Sequence, residues 1–309
     1  MFLGLSFYFI LMDLYIYSIF GWIYESIFVS IRSHKPVNRG FLIGPILPLY
    51  GFGGTLVYVF LRPLEKYPSL LFAGGMILAT VIEFLTSWVM EKLFHAQWWD
   101  YSKEPYNFQG RIALIPSMFW GFLSLLAFDF LQPAVTAIIN AIPYRTGVKL
   151  LSAALLLTAL DLVYTVITTI NFSKQLESLY RFRNELLQQL EEGQFLSLRD
   201  IITSKTQSLS ERTDAFRKRL SELKPTDAEN DSRLSSLETR FWEYQEKHLT
   251  FQKKNRFLGN RRLLEAFPTM RFIPKNSKRH PKEYRTIRVK EFLIQLSDKA
   301  KEESTKRKS

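Results

Sequence analysis

Five long apolar runs in the first 170 residues limit how this chain can fold more than any other feature. A helix that crosses a lipid bilayer needs about 20 mostly apolar residues, and each run approaches that length. The runs cover residues 5–31, 41–61, 70–90, 112–130 and 148–170. They predict a polytopic membrane helix bundle of about five spans, with four or six left open, and they exclude a single water-soluble globule.

Two apolar stretches depart from the pattern of an ordinary span. Residues 41–61 are broken repeatedly by glycine and proline, so we expect a kinked or partly unwound helix there. Residues 133–142 form only half a span, which is either interfacial or a bent extension of the fourth span.

The second half of the chain has a different composition. Lys and Arg outnumber Asp and Glu by 41 to 29, and nearly all of this excess follows residue 171. We predict an all-α chain with a transmembrane domain at 1–171, a cytoplasmic helical hairpin or coiled-coil-like region at 172–257, and a basic, partly disordered tail at 258–309. The chain contains no cysteine, which excludes disulfides, a thiol nucleophile and cysteine-ligated metal sites.

Basic residues in the short loops orient the predicted bundle. The loops after odd-numbered spans carry six Lys or Arg and the other loops carry four, so the positive-inside rule places the N-terminus outside and the C-terminus in the cytoplasm. The basic tail then faces anionic inner-leaflet lipid, an attraction of about 1 kcal/mol per basic residue near the surface. We prefer lipid to nucleic acid as the partner of this tail.

Apolar residues at three-to-four spacing predict two amphipathic helices between residues 172 and 257. One stripe contains Leu176, Leu179, Leu186 and Leu190, and the other contains Leu234, Leu237, Phe241, Tyr244 and Phe251. Pro225 lies between the stripes and should stop a helix, which favours an antiparallel hairpin. Packing of the two helices within one chain and a dimeric coiled coil both fit this pattern.

Four acidic residues inside the predicted spans are candidates for function, because charge is costly there and often functional. Glu25 and Glu83 could face a shared cavity, or could be hydrogen-bonded groups that hold the bundle together. For Asp13 and Asp161 the second, structural role is the preferred interpretation.

The densest cluster of unusual residues is the segment 38–54. Its candidate path-lining residues are Arg39, Gly40, Gly44, Pro45, Pro48 and Gly51. Irregular backbone at membrane depth is tolerated only where it is buried in protein or lines a water-filled cavity. The segment therefore predicts a substrate path, with a kinked packing helix as the alternative.

A second polar cluster, residues 98–111, precedes the fourth span. Its candidate functional residues are Asp100, Asn107, Gly110 and Arg111. Asp100 and Arg111 could form an ion pair, while Asn107 and Gln109 could bond exposed backbone. The alternative is an interfacial loop anchored by its aromatic residues.

Signatures of soluble enzymes are missing from the sequence. It contains no G-x-x-x-x-G-K-[ST] phosphate-binding loop, no H-E-x-x-H and no G-x-S-x-G. The four histidines are scattered. We therefore predict no catalytic residues, no cofactor and no metal site, and no ATPase of this type in the chain.

Several linked motifs bring a known family into view. They are Phe20-Gly-Trp-Ile-Tyr-Glu25, Asn38-Arg-Gly-Phe-Leu-Ile-Gly-Pro45, Pro48-Leu-Tyr-Gly51, Glu83 in its span, Trp99-Asp-Tyr-Ser102 and Tyr106-Asn-Phe-Gln-Gly-Arg-Ile112. Over about residues 10–170 the chain resembles the ABC-transporter permease family of the CmpB type. Arg262-Leu-Leu-Glu-Ala-Phe-Pro268 is similar to a further element near the C-terminus of members, which more often have a basic residue in place of Glu265.

The resemblance implies a permease of the bacterial inner membrane that works with a separate ATP-binding subunit, docked on cytoplasmic surfaces such as residues 91–111. Membrane lipids are further partners, and a homo-oligomer is left open. Two other functions remain: an intramembrane enzyme on a lipid-linked substrate, with Glu25 or Glu83 as general base and Arg39 or Arg111 on a phosphate, and a scaffold that recruits cytoplasmic partners through its hairpin.

Overall fold

The chain is helical almost throughout, as the apolar runs predict. The computed structural model describes residues 3–192, 197–198, 200, 209–222, 228–257, 260–267, 269–273 and 287–289. Its strands are two residues long. The fold class is therefore all-α, and most of the predicted basic tail lies outside the described residues.

The described helices are numbered in chain order. They are α1 (Phe7–Ser33), α2 (Pro48–Leu61), α3 (Pro68–Phe94), α4 (Leu114–Leu126), α5 (Gln132–Ala141), α6 (Tyr144–Glu192), α7 (Leu209–Glu222), α8 (Ala228–Phe257) and α9 (Asn260–Ala266). A 3₁₀ turn covers Arg62–Leu64, and a π-helical turn, Ala127–Leu131, joins α4 to α5. The strands are β1 (Ala96–Gln97), β2 (Asn107–Phe108), β3 (Ile112–Ala113), β4 (Arg271–Phe272) and β5 (Ile287–Arg288).

Four of the described helical stretches are long and apolar enough to cross a membrane. They are Phe7–Ser33, Pro68–Phe94, Leu114–Ala141 and Tyr144–Glu191. The third joins α4 and α5, so residues 133–141 continue the helix of the fourth predicted span, as one of the two alternatives predicted. The second predicted span differs, because helix α2 has only 14 residues, about 21 Å at 1.5 Å per residue.

The residues that connect α1 to α3 nevertheless run back along α1. The backbone N–H of Leu47 donates to the Ser18 carbonyl, 2.9 Å away, near the middle of α1. From there α2 runs antiparallel to α1, with Thr55 bonded to Asp13. The first half of this pass is residues 38–47, here called the unwound segment, and the second half is α2. Prolines and glycines explain the split, because proline removes a backbone donor and disfavours helical dihedrals before it.

Close packing fixes α2 against α1. Gly51 is buried, and a Cβ atom there would lie 2.6 Å from the Leu14 carbonyl oxygen of α1. Deeper in the same seam, the fully buried Asp13 accepts hydrogen bonds from Thr55 and Gln132, at 2.8 and 2.9 Å. Gln132 in turn accepts one from Tyr17. Asp13 therefore holds α1, α2 and α5 together, the structural role expected of it.

Large apolar side chains face outward from the bundle. On α6, Leu156, Leu157 and Leu160 are each more than 60% exposed, and α3 presents Ile77 in the same way. Such a surface would be unstable in water but is suited to contact with lipid. The chain is a membrane protein.

The described structure forms two compact units. The first contains Met1–Ile170 and also Arg262–Arg271, which the sequence analysis assigned to the tail; the second contains Asn171–Arg261 and Phe272–Ser309. In the second unit, α6 and α8 pack antiparallel, with Phe172 near Phe251 and Phe182 near Tyr244.

The leucines of the first predicted stripe are buried in this second unit. So are the described apolar side chains of the second stripe, Leu237, Phe241, Tyr244 and Phe251. Helix α7 is an addition that the stripes did not predict, and its Phe216 stacks on Phe241 with ring centroids 3.7 Å apart. The predicted turn at Pro225 lies outside the described residues.

Candidate functional site

The unwound segment is held in place by a carboxylate on one side. Asp161, from α6, accepts hydrogen bonds from the backbone N–H groups of Ile43 and Gly44, at 3.1 and 2.8 Å. Thr165, one turn later on α6, donates to the same carboxylate at 2.9 Å. Two amides that have no helical partner are therefore satisfied by a charged acceptor, which makes stronger hydrogen bonds than a neutral one.

A guanidinium group holds the carbonyls of the same segment. Arg262 donates to the carbonyl oxygens of Gly40 and Phe41, each at 2.7 Å. Burial lowers the pKa of Arg262, and the charge of Asp161 opposes that shift. Asp161 and Arg262 thus form a clamp of opposite charges on neighbouring peptide groups of one loop.

Polar side chains of α1 satisfy much of the remaining backbone. Ser30 and Ser26 accept hydrogen bonds from the amides of Val37 and Arg39. Asn38 accepts from the Trp22 indole and donates to the Ile43 carbonyl. The segment is therefore an ordered, specified conformation. Its Ile43 and Pro45 side chains nevertheless remain exposed.

Glu25 lies beside this segment and joins it to α2. Its carboxylate accepts a hydrogen bond from the Tyr50 hydroxyl at 2.8 Å and pairs with the Arg39 Nε at 3.4 Å. The Glu25 and Arg39 side chains are both partly buried, at 25% and 21% exposure. The ion pair is therefore partly removed from water, where charge interactions are stronger than on an open surface.

Glu83, on α3, is buried and is linked to Tyr50 through Trp120. It accepts hydrogen bonds from the Tyr101 hydroxyl and the Trp120 indole N–H, each at 3.1 Å. The Trp120 ring packs edge-on against Tyr50, with centroids 5.4 Å apart. Burial and the charge of Glu83 raise the pKa of Tyr101, so this phenol stays protonated and keeps donating.

We call Glu25, Arg39, Tyr50, Glu83, Tyr101 and Trp120 the carboxylate cluster. Its two acids interact electrostatically, and Arg39 is its only basic member. With both acids ionised, the cluster carries one net negative charge. Such a cluster can attract a cation or exchange a proton. Within the described residues, no group of three or more histidine or acidic side chains could hold a metal ion.

The loop between α3 and α4 has a different structure from the one predicted. Asp100 and Arg111 do not pair with each other: Arg111 donates to Glu91 at 2.5 Å, and Asp100 accepts from Arg271 at 2.9 Å. Asn107 does bond backbone, accepting from the Gly110 amide at 3.1 Å.

Gln109 instead accepts from the Arg111 side chain with its own side-chain oxygen. Gly110 has a φ of +66°, a conformation that glycine adopts at little cost. These contacts shape the loop, and none places Asp100 or Arg111 in the carboxylate cluster.

The predicted site residues therefore divide into three sets. Glu25, Arg39 and Glu83 meet in the carboxylate cluster, next to Gly40, Gly44 and Pro45 in the unwound segment. Pro48 is the first residue of α2, and Gly51 is the point at which α2 packs closely against α1. Asp100, Asn107, Gly110 and Arg111 belong to the loop.

Sequence reasoning did not select several residues that the structure brings to notice. Tyr50, Tyr101 and Trp120 are too common as interfacial aromatics to stand out. Arg262 is distant in sequence from its partners. Asp129 lies exposed in the π-helical turn, and its position as the one charged residue of Leu114–Ala141 could have identified it.

Comparison with known proteins agrees with this architecture. A family model described as "Putative ABC-transporter type IV" matches residues 12–166, which include most of α1, all of α2 to α5 and the first part of α6. Searches of curated proteins and of solved structures gave no significant match.

Proposed function

This chain belongs to the ABC-transporter type IV family, and on that premise we propose that it is the permease component of a transporter, forming a polar path across the membrane. The path comprises the unwound segment and the carboxylate cluster. The alternation of an unwound half and a helical half within one pass is typical of transporter binding sites near the bilayer midplane.

The exposure of the unwound segment is the observation that carries this proposal. Non-helical backbone at membrane depth is tolerated only when it is buried in protein or lines a water-filled cavity. The side chain of Ile43 is 45% exposed and Pro45 is exposed as well, so this part of the segment is not buried in protein. We propose that water, rather than lipid, is the medium that this part of the segment faces.

We propose that the membrane is the bacterial inner membrane, with the N-terminus outside and the C-terminus in the cytoplasm. Contacts support this orientation, because residues from the C-terminal region reach the ends of both α1 and α3. Glu265 pairs with Lys35, just after α1, and Arg271 pairs with Asp100, just after α3. The basic loops after α1 and α3 and the two C-terminal residues that contact them then share one side.

The permease requires an energy source outside its own chain. The sequence lacks the phosphate-binding loop of an ATPase, and membership in an ABC-transporter family suggests a separate ATP-binding subunit. We propose that this subunit docks on the cytoplasmic side, near residues 91–111. Purification in mild detergent should recover a nucleotide-hydrolysing protein with the chain, and repeated recovery of the chain without one would contradict this part of the proposal.

The two acids of the carboxylate cluster should be required for transport. We expect Glu25→Gln and Glu83→Gln each to lower solute uptake about tenfold or more, because each change removes a charged acceptor worth roughly 1.5–3 kcal/mol per hydrogen bond. The solutes inside membrane vesicles are identified and quantified by mass spectrometry. Uptake is the amount that vesicles with the protein accumulate in excess of vesicles without it.

Glu65→Gln is the matched control, because Glu65 is exposed between α2 and α3, outside the proposed docking surface. It should leave uptake unchanged. Normal uptake by both cluster variants, at equal protein levels, would remove the cluster from the transport path.

A further inference from the structure

Ten residues from the C-terminal region are part of the membrane unit. Arg262–Arg271 belongs to the first unit, whereas the chain before and after it belongs to the second. We call this stretch, without the undescribed residue 268, the plug. A short stretch that packs on one unit while its flanks belong to another is well placed to carry a signal between them.

Four side chains of the plug contact the end of the bundle where α1 and α3 finish. Arg262 holds the Gly40 and Phe41 carbonyls, and Glu265 pairs with Lys35 at 3.0 Å. Phe267 packs edge-on against the buried Trp98, with centroids 4.9 Å apart. Arg271 pairs with Asp100 at 2.9 Å. The face that receives the plug thus offers a base, an acid, backbone carbonyls and an aromatic ring.

The plug touches both parts of the proposed path. The Arg39 guanidinium lies 4.4 Å from the Phe267 ring centroid, while its Nε pairs with Glu25. Arg262 binds the unwound segment directly. Withdrawal of the plug would therefore free two carbonyls of the segment and uncover the only basic member of the carboxylate cluster.

The contacts are of a kind that can be broken. The Lys35 and Glu265 side chains are 49% and 33% exposed, so their attraction is screened by salt. The Arg262 Nε is buried without a hydrogen-bond partner among the described residues, so its docked state leaves one donor unsatisfied. Water can replace these polar contacts when the plug leaves, and the buried Leu263, Ala266, Phe267 and Met270 of the plug would have to leave with them.

We propose that this face is a peptide-binding surface and that the chain's own plug occupies it, closing the cytoplasmic end of the path until movement of the second unit withdraws it. The peptide that fits the surface has arginine at its start, a carboxylate one turn later, an aromatic residue next and a second arginine at its end. The gating part of the proposal rests on the proposed function, whereas the binding part does not.

Hydrogen–deuterium exchange on the full-length chain tests the proposal. The natural chain has no cysteine, so Lys35→Cys with Glu265→Cys provides a single thiol pair, which a bis-methanethiosulfonate reagent links and dithiothreitol releases. We expect amides of residues 40–47 to exchange at least about tenfold more slowly in the linked protein than after release. Arg262→Ala, in the otherwise natural chain, should speed their exchange, Arg262→Lys should do so less, and the loop variant Lys103→Ala should have no effect.

The outcomes separate the plug from the path. Equal exchange in linked and released protein, with Arg262→Ala also unchanged, would overturn the plug while leaving the path in place. Failure of residues 40–47 to exchange in every state would show that water never reaches the segment, which would overturn the path as well. The reversible link keeps Arg262 in place, so the result does not depend on whether Arg262→Ala folds.

Discussion

Gly51→Ala should lower the free energy of unfolding by about 2–3 kcal/mol, at the upper end of the usual cost of overpacking. A Cβ atom at residue 51 would overlap the Ser18 hydroxyl and lie 2.6 Å from the Leu14 carbonyl oxygen. The hydroxyl already donates to that carbonyl, and the carbonyl belongs to the backbone of α1. Helices α1 and α2 would have to separate, which loosens the seam that contains Asp13.

Gly53→Ala is the matched control, two residues further along the same helix. A Cβ atom there has nothing within 4 Å, so the change should stabilise α2 by about 0.5–1 kcal/mol through helix propensity alone. Thermal unfolding in detergent measures both variants. The packing account predicts shifts of opposite sign, and equal shifts would contradict it.

Asp161→Leu should lower the free energy of unfolding by about 2–4 kcal/mol, because hydrogen bonds to a charged group contribute roughly 1.5–3 kcal/mol each. The change leaves the Ile43 and Gly44 amides without their acceptor. Leucine is otherwise well suited to the apolar part of α6. The loss of stability therefore measures the contribution of the hydrogen bonds between Asp161 and the unwound segment.

Asp129→Leu tests whether the replacement of any acidic residue in a span by leucine destabilises the protein. Asp129 is exposed in the π-helical turn, and no partner for it is found among the described residues. Its replacement should be neutral or stabilising, since a carboxylate within an apolar span is costly. Denaturation of the two variants in the same detergent gives the comparison, and similar losses would refute the clamp.

The sequence was sufficient for the parts of the fold that depend on local pattern. Apolar runs of membrane length predict the long helices, and three-to-four spacing predicts the buried leucines of α6. Glycine and proline also predict where the second pass loses its helix. What they could not supply was the length of α2, because the position at which a helix resumes after proline depends on its packing against α1.

The site could be predicted only in part, for the same reason. The cost of charge in a span identified Glu25, Glu83 and Asp161 as important. Their partners come from elements far away in the sequence, and spacing does not reveal such pairs. The proposed Asp100–Arg111 pair was wrong because Glu91, on the last turn of α3, is within reach of Arg111, and Arg271 is within reach of Asp100. From a single sequence, partners for a charged residue can be chosen only by their separation along the chain.

The central claim is that the unwound segment faces water inside the membrane. Two exposed residues allow a comparison: Pro45 lies in that segment, and Ile19 lies next to the α1 residue that Leu47 contacts. Only Pro45 should be in contact with water. Single cysteines at these positions, in a chain that has no other thiol, can be treated in sealed vesicles with a small, charged methanethiosulfonate reagent. The account predicts that Pro45→Cys reacts and Ile19→Cys does not; if both stay unreacted, or both react at the same rate, the path does not exist.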